Sequence, residues 1–338
     1  MISHNDCYDK IYSFDNIELA HRKASSCKRY SGEVLQFSYN LEENLIGIHA
    51  DLQHETYSPG RYYEFHVRDP KPRLIMALPY RDRVVHHAIC NIIEPIFDRS
   101  LIGDTYACRK GKGALLAVKR IEHWIGSMVN NGERPYALKM DVSKYYASIN
   151  HEILKRDVRK KISCARTLRL LDQIVDSVGD GIGIPLGNLT SQLFANIYLN
   201  SIDRYIKEEL KAKYYVRYMD DMLILGSDKK RLGEIKNQVS GRLGEIGLSL
   251  NGRTSIAPVD GGIDFLGYRQ FVERRILRKR IMKTNYRKFK LFAQRGDREA
   301  LNRSLPSFVG LCKHCAGTKA IENVNKIIQT NYQRSEAR

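Results

Sequence analysis

Tyr214-Tyr215-Val216-Arg217-Tyr218-Met219-Asp220-Asp221-Met222-Leu223-Ile224-Leu225 places two adjacent acids between two apolar, β-prone runs. Burying neighbouring carboxylates inside a strand is costly unless a cation offsets them. The simplest arrangement is a hairpin whose tip, led in by Tyr218 and Met219, presents Asp220 and Asp221 to a divalent metal. On its own the pair also fits an ordinary solvated turn. A third carboxylate on a separate element is what decides.

The upstream stretch Tyr136-Ala137-Leu138-Lys139-Met140-Asp141-Val142-Ser143-Lys144-Tyr145-Tyr146 offers one, reading as strand, acid, turn. Two-metal phosphoryl transfer needs ions about 3.5–4 Å apart, held by carboxylates from different elements. Asp141 with Asp220 and Asp221 suits that chemistry. The competing reading makes Asp141 the cap of a helix starting near Ser143.

With 338 residues the chain is long enough to bury a substantial core divided among two or three lobes. Lys and Arg number 56 against 38 Asp and Glu, a net charge of +18 that calls for a polyanionic partner, nucleic acid before an acidic membrane surface. No apolar stretch approaches the ~18 residues needed to span a bilayer, and no leader opens the chain, so a cytoplasmic protein with no membrane partner is expected. Its 7 cysteines are an odd number and suit a reducing compartment. Cys312-Lys313-His314-Cys315 has ligand-like spacing, but no second close pair completes a zinc site.

Leu41, Leu45, Ile48 and Leu52 recur at helical spacing up to a break at Ser58-Pro59-Gly60. Residues 61–68 then alternate, Asp69-Pro70-Lys71-Pro72 turns, and residues 73–78 return, giving a basic hairpin. Such a ribbon is either a protected sheet edge or a clamp for an incoming triphosphate. A wide apolar stripe from Val84 to Phe97 predicts a buried helix, and Thr105 to Ala114 a basic glycine-containing loop opening another. Beyond Asp141 come helices, a glycine-studded turn over residues 179–187, and a long helix from near Asn188 with Ser191 and Gln192 toward a cleft. Further on lie a helix from about Asp228 to Ile246 and a tight hairpin at Gly261–Tyr268. Finally, from Arg274 to Lys290, basic residues interleave with Tyr286, Phe289 and Phe292 on helices suited to a duplex backbone.

Taken in order, Lys71-Pro72-Arg73, Arg81-Asp82-Arg83-Val84-Val85, Thr105 to Gly113, Asp141 with Tyr146, Tyr218 to Asp221, and Phe265-Leu266-Gly267-Tyr268 resemble the successive motifs of reverse transcriptases. Within that superfamily Ile184-Pro185-Leu186-Gly187-Asn188-Leu189-Thr190-Ser191-Gln192 discriminates. Most relatives carry Pro-Gln-Gly and later Ser-Pro, whereas Leu186 and Ser191-Gln192 match the enzymes of diversity-generating retroelements. Those enzymes copy a template RNA and introduce mutations opposite adenine. A retron-type reverse transcriptase, and a non-catalytic RNA-binding protein on the same scaffold, are the alternatives.

The resemblance implies an α+β, right-hand polymerase fold: fingers over 1–135 with the amino-terminal helices and part of the palm, a palm with an antiparallel sheet over 136–272, and a helical thumb over 273–338. It implies two Mg²⁺, or Mn²⁺, held by Asp141, Val142, Asp220 and Asp221. The nucleotide would meet Lys71, Arg73, Val142, Tyr146 as gate against a ribose 2′-hydroxyl, Leu186, Gly187 and Gln192. Primer and template would meet Tyr218, Met219, Phe265, Leu266, Gly267, Tyr268, Arg278 and Lys279. Template RNA, the cDNA primer and product, deoxynucleotides and a basic ring-forming accessory variability protein are the implied partners. Where the family usually offers a lysine as proton donor, Asn251-Gly252-Arg253-Thr254 places Arg253, a poor donor at neutral pH, so the general acid stays unassigned.

Overall fold

The computed structural model describes residues 4–68 and 72–336, with side chains described as far as Asn331. Helices α1 (Cys7–Tyr12), α2 (Phe14–Ala24), α3 (Gly32–Tyr39) and α4 (Leu41–Gln53) open it. In α4 the predicted spacing buries Leu45, Ile48 and Leu52, with Glu42 and Glu43 in the first turn, where the helix dipole favours acids. The chain beyond α4 is held by one buried carboxylate, Asp82, which accepts from the Tyr57 hydroxyl at 2.8 Å and the Gly60 amide at 3.3 Å.

That anchored segment leads into the ribbon, β1 (Tyr63–Arg68) and β2 (Pro72–Ala77), paired antiparallel with Phe65 opposite Ile75 and Val67 opposite Arg73. The ribbon is a separate two-stranded sheet, and every residue of β1 is exposed. Lys71 lies outside the described residues. Helix α5 (Tyr80–Asp98) buries the predicted stripe, and the basic loop opens α6 (Ala114–Asn130).

Strand β3 (Tyr136–Asp141) follows as expected, but no helix starts at Ser143. A 3₁₀ turn at Tyr145–Ser148 intervenes, and α7 (His151–Arg159) is capped by Asn150, whose Oδ1 accepts the Ile153 amide at 3.0 Å. Asp141 therefore caps nothing. After α8 (Ala165–Val175) the long helix expected from Asn188 is interrupted, as α9 (Leu189–Tyr198), α10 (Asn200–Arg204) and a π-helical turn at Tyr205–Glu209. Ser191 does not face a cleft: it is buried and only Gln192 is exposed, because α9 packs against both α5 and α7 and needs a wider apolar face than its leucines suggest.

Strands β4 (Tyr214–Tyr218) and β5 (Asp221–Gly226) form the hairpin, α11 (Lys229–Glu245) is capped by Asp228, and β6 (Ser255–Pro258) completes an antiparallel sheet in the order β4-β5-β3-β6. One face of the sheet, with Leu138, Met140, Tyr215, Met222 and Ile224, joins the core of the amino-terminal helices. The opposite face, with Ala137, Tyr214, Val216 and Leu223, packs on Trp124 and Ile125 of α6. Alternation in β4 thus serves two cores, which is why both faces read apolar.

A third sheet, β7 (Ile263–Phe265), β8 (Tyr268–Gln270) and β9 (Arg275–Leu277), precedes α12 (Lys279–Gln294), α13 (Arg298–Cys312) and α14 (Thr318–Glu336). The basic run expected to be helical from Arg274 therefore begins as a strand. Arg275 is buried there, paired with Glu122 at 3.2 Å and donating to the His314 carbonyl at 2.7 Å, so it is not free to grip a duplex. Phe289 is also core, whereas Lys279, Arg280, Lys283, Arg287 and Lys288 stay exposed. Among the described residues no helix is long and apolar enough to cross a membrane.

The ribbon is tied to the loop before α9: the Met76 amide donates to the Leu186 carbonyl at 2.8 Å. Gly187 follows with φ +139°, and a Cβ there would lie 2.4 Å from the Met76 carbonyl oxygen. Gly187→Ala is expected to destabilise the protein by about 1–3 kcal/mol. Chemical denaturation checks it against Gly181→Ala, whose φ of +82° is also left-handed but whose Cβ meets nothing within 4 Å; equal losses would contradict the close contact.

Candidate active site

Strand register brings the acids together. Asp141, the last residue of β3, is the pairing partner of Asp221, the first of β5, and Tyr218 at the end of β4 pairs with Asp221 from the other side. Asp220 occupies the intervening turn with Met219, whose φ of +53° lets a two-residue connection reverse the chain. The Val142 amide donates to the Asp220 carbonyl at 3.4 Å, closing the gap between β3 and the turn. All three carboxylates are half-buried.

Their electrostatics follow from that crowding. Burial raises the Asp220 pKa to about 6, with the charges of Asp221 and Asp141 adding to it. Burial raises Asp221 as well, opposed by Lys139, whose Nζ stands 3.9 Å away. Asp141 is held by a residue the sequence reading passed over: Asn251 donates its amide proton to the Asp141 carbonyl at 2.8 Å and Nδ2 to Oδ2 at 2.6 Å. Asn251 Oδ1 is itself fixed by the Arg253 amide at 2.7 Å. An asparagine two residues before an arginine in a Gly-containing turn is an Asx-turn signal, which was legible beside the arginine that drew attention.

Three hard oxygen donors, with burial resisting the charged form of Asp220 and Asp221, fit a divalent ion of the Mg²⁺ or Mn²⁺ kind. Among the described residues no three His, Cys, Asp or Glu side chains are gathered tightly enough to hold an ion as they stand. The donor chemistry still fits, because three carboxylates that raise one another's charge cost stand together at one end of the sheet, with Asn251 bonded to Asp141 and Lys139 beside Asp221.

Above the acids, the Tyr146 carbonyl accepts the Ile184 amide at 2.9 Å and its hydroxyl reaches Met219 Sδ at 3.7 Å. Burial raises the Tyr146 hydroxyl well above its ordinary range, and Arg73 is close enough to oppose this. Arg73 thus lies near Tyr146, the Tyr146 carbonyl is bonded two residues before Leu186, Val142 is buried, and Gln192 is exposed on α9. On the opposite side Phe265 and Tyr268, expected to touch primer, are buried in two different cores. They instead hold a tip formed by Leu266 and Gly267, with φ +44° and +89°, whose Gly267 carbonyl accepts the Arg278 amide at 3.0 Å. Arg278 pairs with Asp264 at 3.4 Å and lies close enough to lower Asp221. Lys139 spans the same region, donating to the Asp264 carbonyl at 3.0 Å.

An antiparallel sheet with helices packed on both faces and three acids at the strand ends and the turn between them is the fold of a right-hand nucleic-acid polymerase. Residues 67–269, more than half of the chain, match the family Reverse transcriptase (RNA-dependent DNA polymerase). The chain belongs to that family. It is 27% identical to Protein YkfC of Escherichia coli K12 over 57% of this chain and 62% of that protein. It is 21% identical to the putative COX1/OXI3 intron 1 protein of Saccharomyces cerevisiae over 60% of this chain and 32% of that one. The chain thus spans less than two thirds of the length of these curated relatives. Solved structures of similar fold are telomerase of Candida albicans with a fragment of telomeric RNA, with TM-score 0.52, 12% identity, and coverage of 85% of this chain and 62% of that one, and apo telomerase of Candida tropicalis, with 0.51, 12%, and 83% and 59%.

Asp220 also sets a pH dependence. Its folded pKa lies above the ordinary carboxylate value, so its contribution to stability is present at low pH and is lost as pH rises through about 6. In the absence of divalent cations, Asp220→Asn is expected to raise Tm by about 2 °C at pH 7.5 and to change it little at pH 4.5. Calorimetry at the two pH values checks this, and a gain of equal size at both would contradict it.

Proposed function

We propose that the chain is an RNA-directed DNA polymerase of a diversity-generating retroelement, copying template RNA into cDNA with errors directed to adenine. The observation that carries the polymerase reading is the meeting of Asp141 with Asp220 and Asp221 at the ends of adjacent antiparallel strands. In this reading the three carboxylates, with the Val142 carbonyl, hold two divalent cations. When bound, such ions activate the primer 3′-hydroxyl and neutralise charge on the leaving pyrophosphate.

The chain's own groups do the rest. Arg73, with Lys71, neutralises the triphosphate, and arginine's paired donors fix its orientation where lysine supplies a point charge. Tyr146, its ring packed edge-on against Tyr145 at 5.7 Å, closes the space where a ribose 2′-hydroxyl would sit. Tyr218 and Met219 lie under the primer end, the Leu266–Gly267 tip steadies it, and Arg278, Lys279 and the exposed basic face of α12 follow the duplex backbone. Fingers 1–135, palm 136–272 and thumb 273–338 divide these tasks. The net charge of +18 suits RNA and cDNA as partners; the basic accessory protein and the cytoplasm complete the proposal.

Asp220→Ala is expected to lower deoxynucleotide incorporation on a primed RNA template by at least about 10³-fold while leaving template binding intact. Primer extension and filter binding measure the two, and incorporation that survives the substitution would refute catalysis at this site.

The retroelement subtype is supported by Leu186. Its carbonyl is committed to the Met76 amide, and its side chain, being leucine, would offer the nascent pair apolar contact alone. One hydrogen bond contributes about 0.5–1.5 kcal/mol, which changes discrimination a few-fold to about tenfold. Leu186→Gln is therefore expected to reduce misincorporation opposite template adenine by that factor with synthesis preserved. Sequencing of extension products reads it; an unchanged error spectrum, or errors not centred on adenine in the parent chain, would favour a retron-type enzyme.

A further inference from the structure

Arg217 is fully buried in β4, and so is its partner Asp203 on α10. Desolvating both ions is expensive, and an apolar pair of similar volume often packs as stably or more so. The pair therefore calls for a use beyond packing. Its geometry supplies one.

The guanidinium uses every edge. Nε donates to Asp203 Oδ1 and Oδ2 at 2.8 and 3.0 Å, and Nη2 to Oδ2 at 2.7 Å. Nη1 donates to Asn196 Oδ1 at 3.1 Å and to the carbonyl of Met219 at 3.1 Å. Asp203 is in turn saturated by the Tyr215 hydroxyl at 2.6 Å and the Thr105 hydroxyl at 3.0 Å. Asn196 Nδ2 reaches on to the Ala107 carbonyl at 2.9 Å.

One of these bonds leaves the buried network for the acidic turn. The Met219 carbonyl belongs to the peptide that carries the Asp220 amide, and Met219 holds a left-handed φ of +53° without being glycine. Such a conformation persists only where surrounding contacts over-determine it. The tie from the Val142 amide to the Asp220 carbonyl is longer, at 3.4 Å.

We propose that Arg217 is a positioning residue: clamped by Asp203 and Asn196, it fixes the Met219–Asp220 peptide so that Asp220 and Asp221 face the cation site together with Asp141. The inference rests on the polymerase reading above. Lysine cannot replace it, because a single ammonium has no planar fork to engage Asp203 and the Met219 carbonyl at once. The link through Thr105 and Asn196 also makes the 105–107 loop part of the same device.

The test uses the full chain. Mn²⁺ binding is followed by electron paramagnetic resonance without nucleotide, and single-turnover extension is followed across a Mg²⁺ series. Two variants are compared with the parent: Arg217→Lys, which keeps the charge, and Arg217→Met with Asp203→Leu, which leaves no orphan ion. Both are expected to bind primer–template normally and to keep the parent KM for deoxynucleotide at saturating Mg²⁺. Each is expected to need roughly tenfold more Mn²⁺ for half-saturation, the order expected of one charge-assisted hydrogen bond. A parental Mn²⁺ midpoint in either folded variant overturns the proposal, and Arg217→Lys decides if the double variant fails to fold. A parent chain that binds Mn²⁺ through Asp220 but extends no primer would refute the polymerase reading and leave this inference standing on the midpoints.

Discussion

Asp141, Asp220 and Asp221 repel one another across the end of one sheet, and burial sharpens the repulsion by withholding the water that would screen it. The fold tolerates this only because backbone register, not attraction, places them: Asp141 faces Asp221 as a consequence of pairings that run back to Tyr136 and Gly226. Asn251 and Lys139 then take up part of the unfavourable charge, one by donating to Asp141 and the other by standing beside Asp221. A site organised in this way is strained toward a cation.

The surrounding elements repeat that logic at longer range. Asp82 anchors the chain entering the ribbon, the Met76 amide ties the ribbon to Leu186, and the Ile184 amide ties the same loop to Tyr146. Ties from one carboxylate and two backbone amides thus link four chain segments, and the Tyr146 hydroxyl adds a contact to Met219 Sδ. Gly187 is needed where two backbones approach too closely for a Cβ.

Local chemistry made much of this readable in advance. Strand β3, the Tyr218–Asp221 hairpin, the basic ribbon and α11 each carry a periodicity with a stop signal, and Asp228 caps α11 as its position suggests. What escaped depends on partners distant in sequence. Ser191 is buried because α5 and α7 both close on α9, and Arg275 becomes a strand residue because Glu122 and the His314 carbonyl await it. Phe265 and Tyr268 belong to two cores on either side of one tip. Asn251 was visible as a turn residue, but nothing local connects it to an acid 110 positions earlier.

The central claim, that residues 141, 220 and 221 jointly hold a divalent cation, is tested most directly by iron-directed cleavage of the polypeptide. Fe²⁺ with ascorbate, substituted for the native ion, generates radicals that cut the backbone next to where the metal sits. The account predicts scission confined to the neighbourhoods of Asp141 and of Met219–Asp221, competed by Mg²⁺ and lost in Asp220→Asn. Cuts mapping to other segments, or an unchanged pattern in that variant, would contradict it.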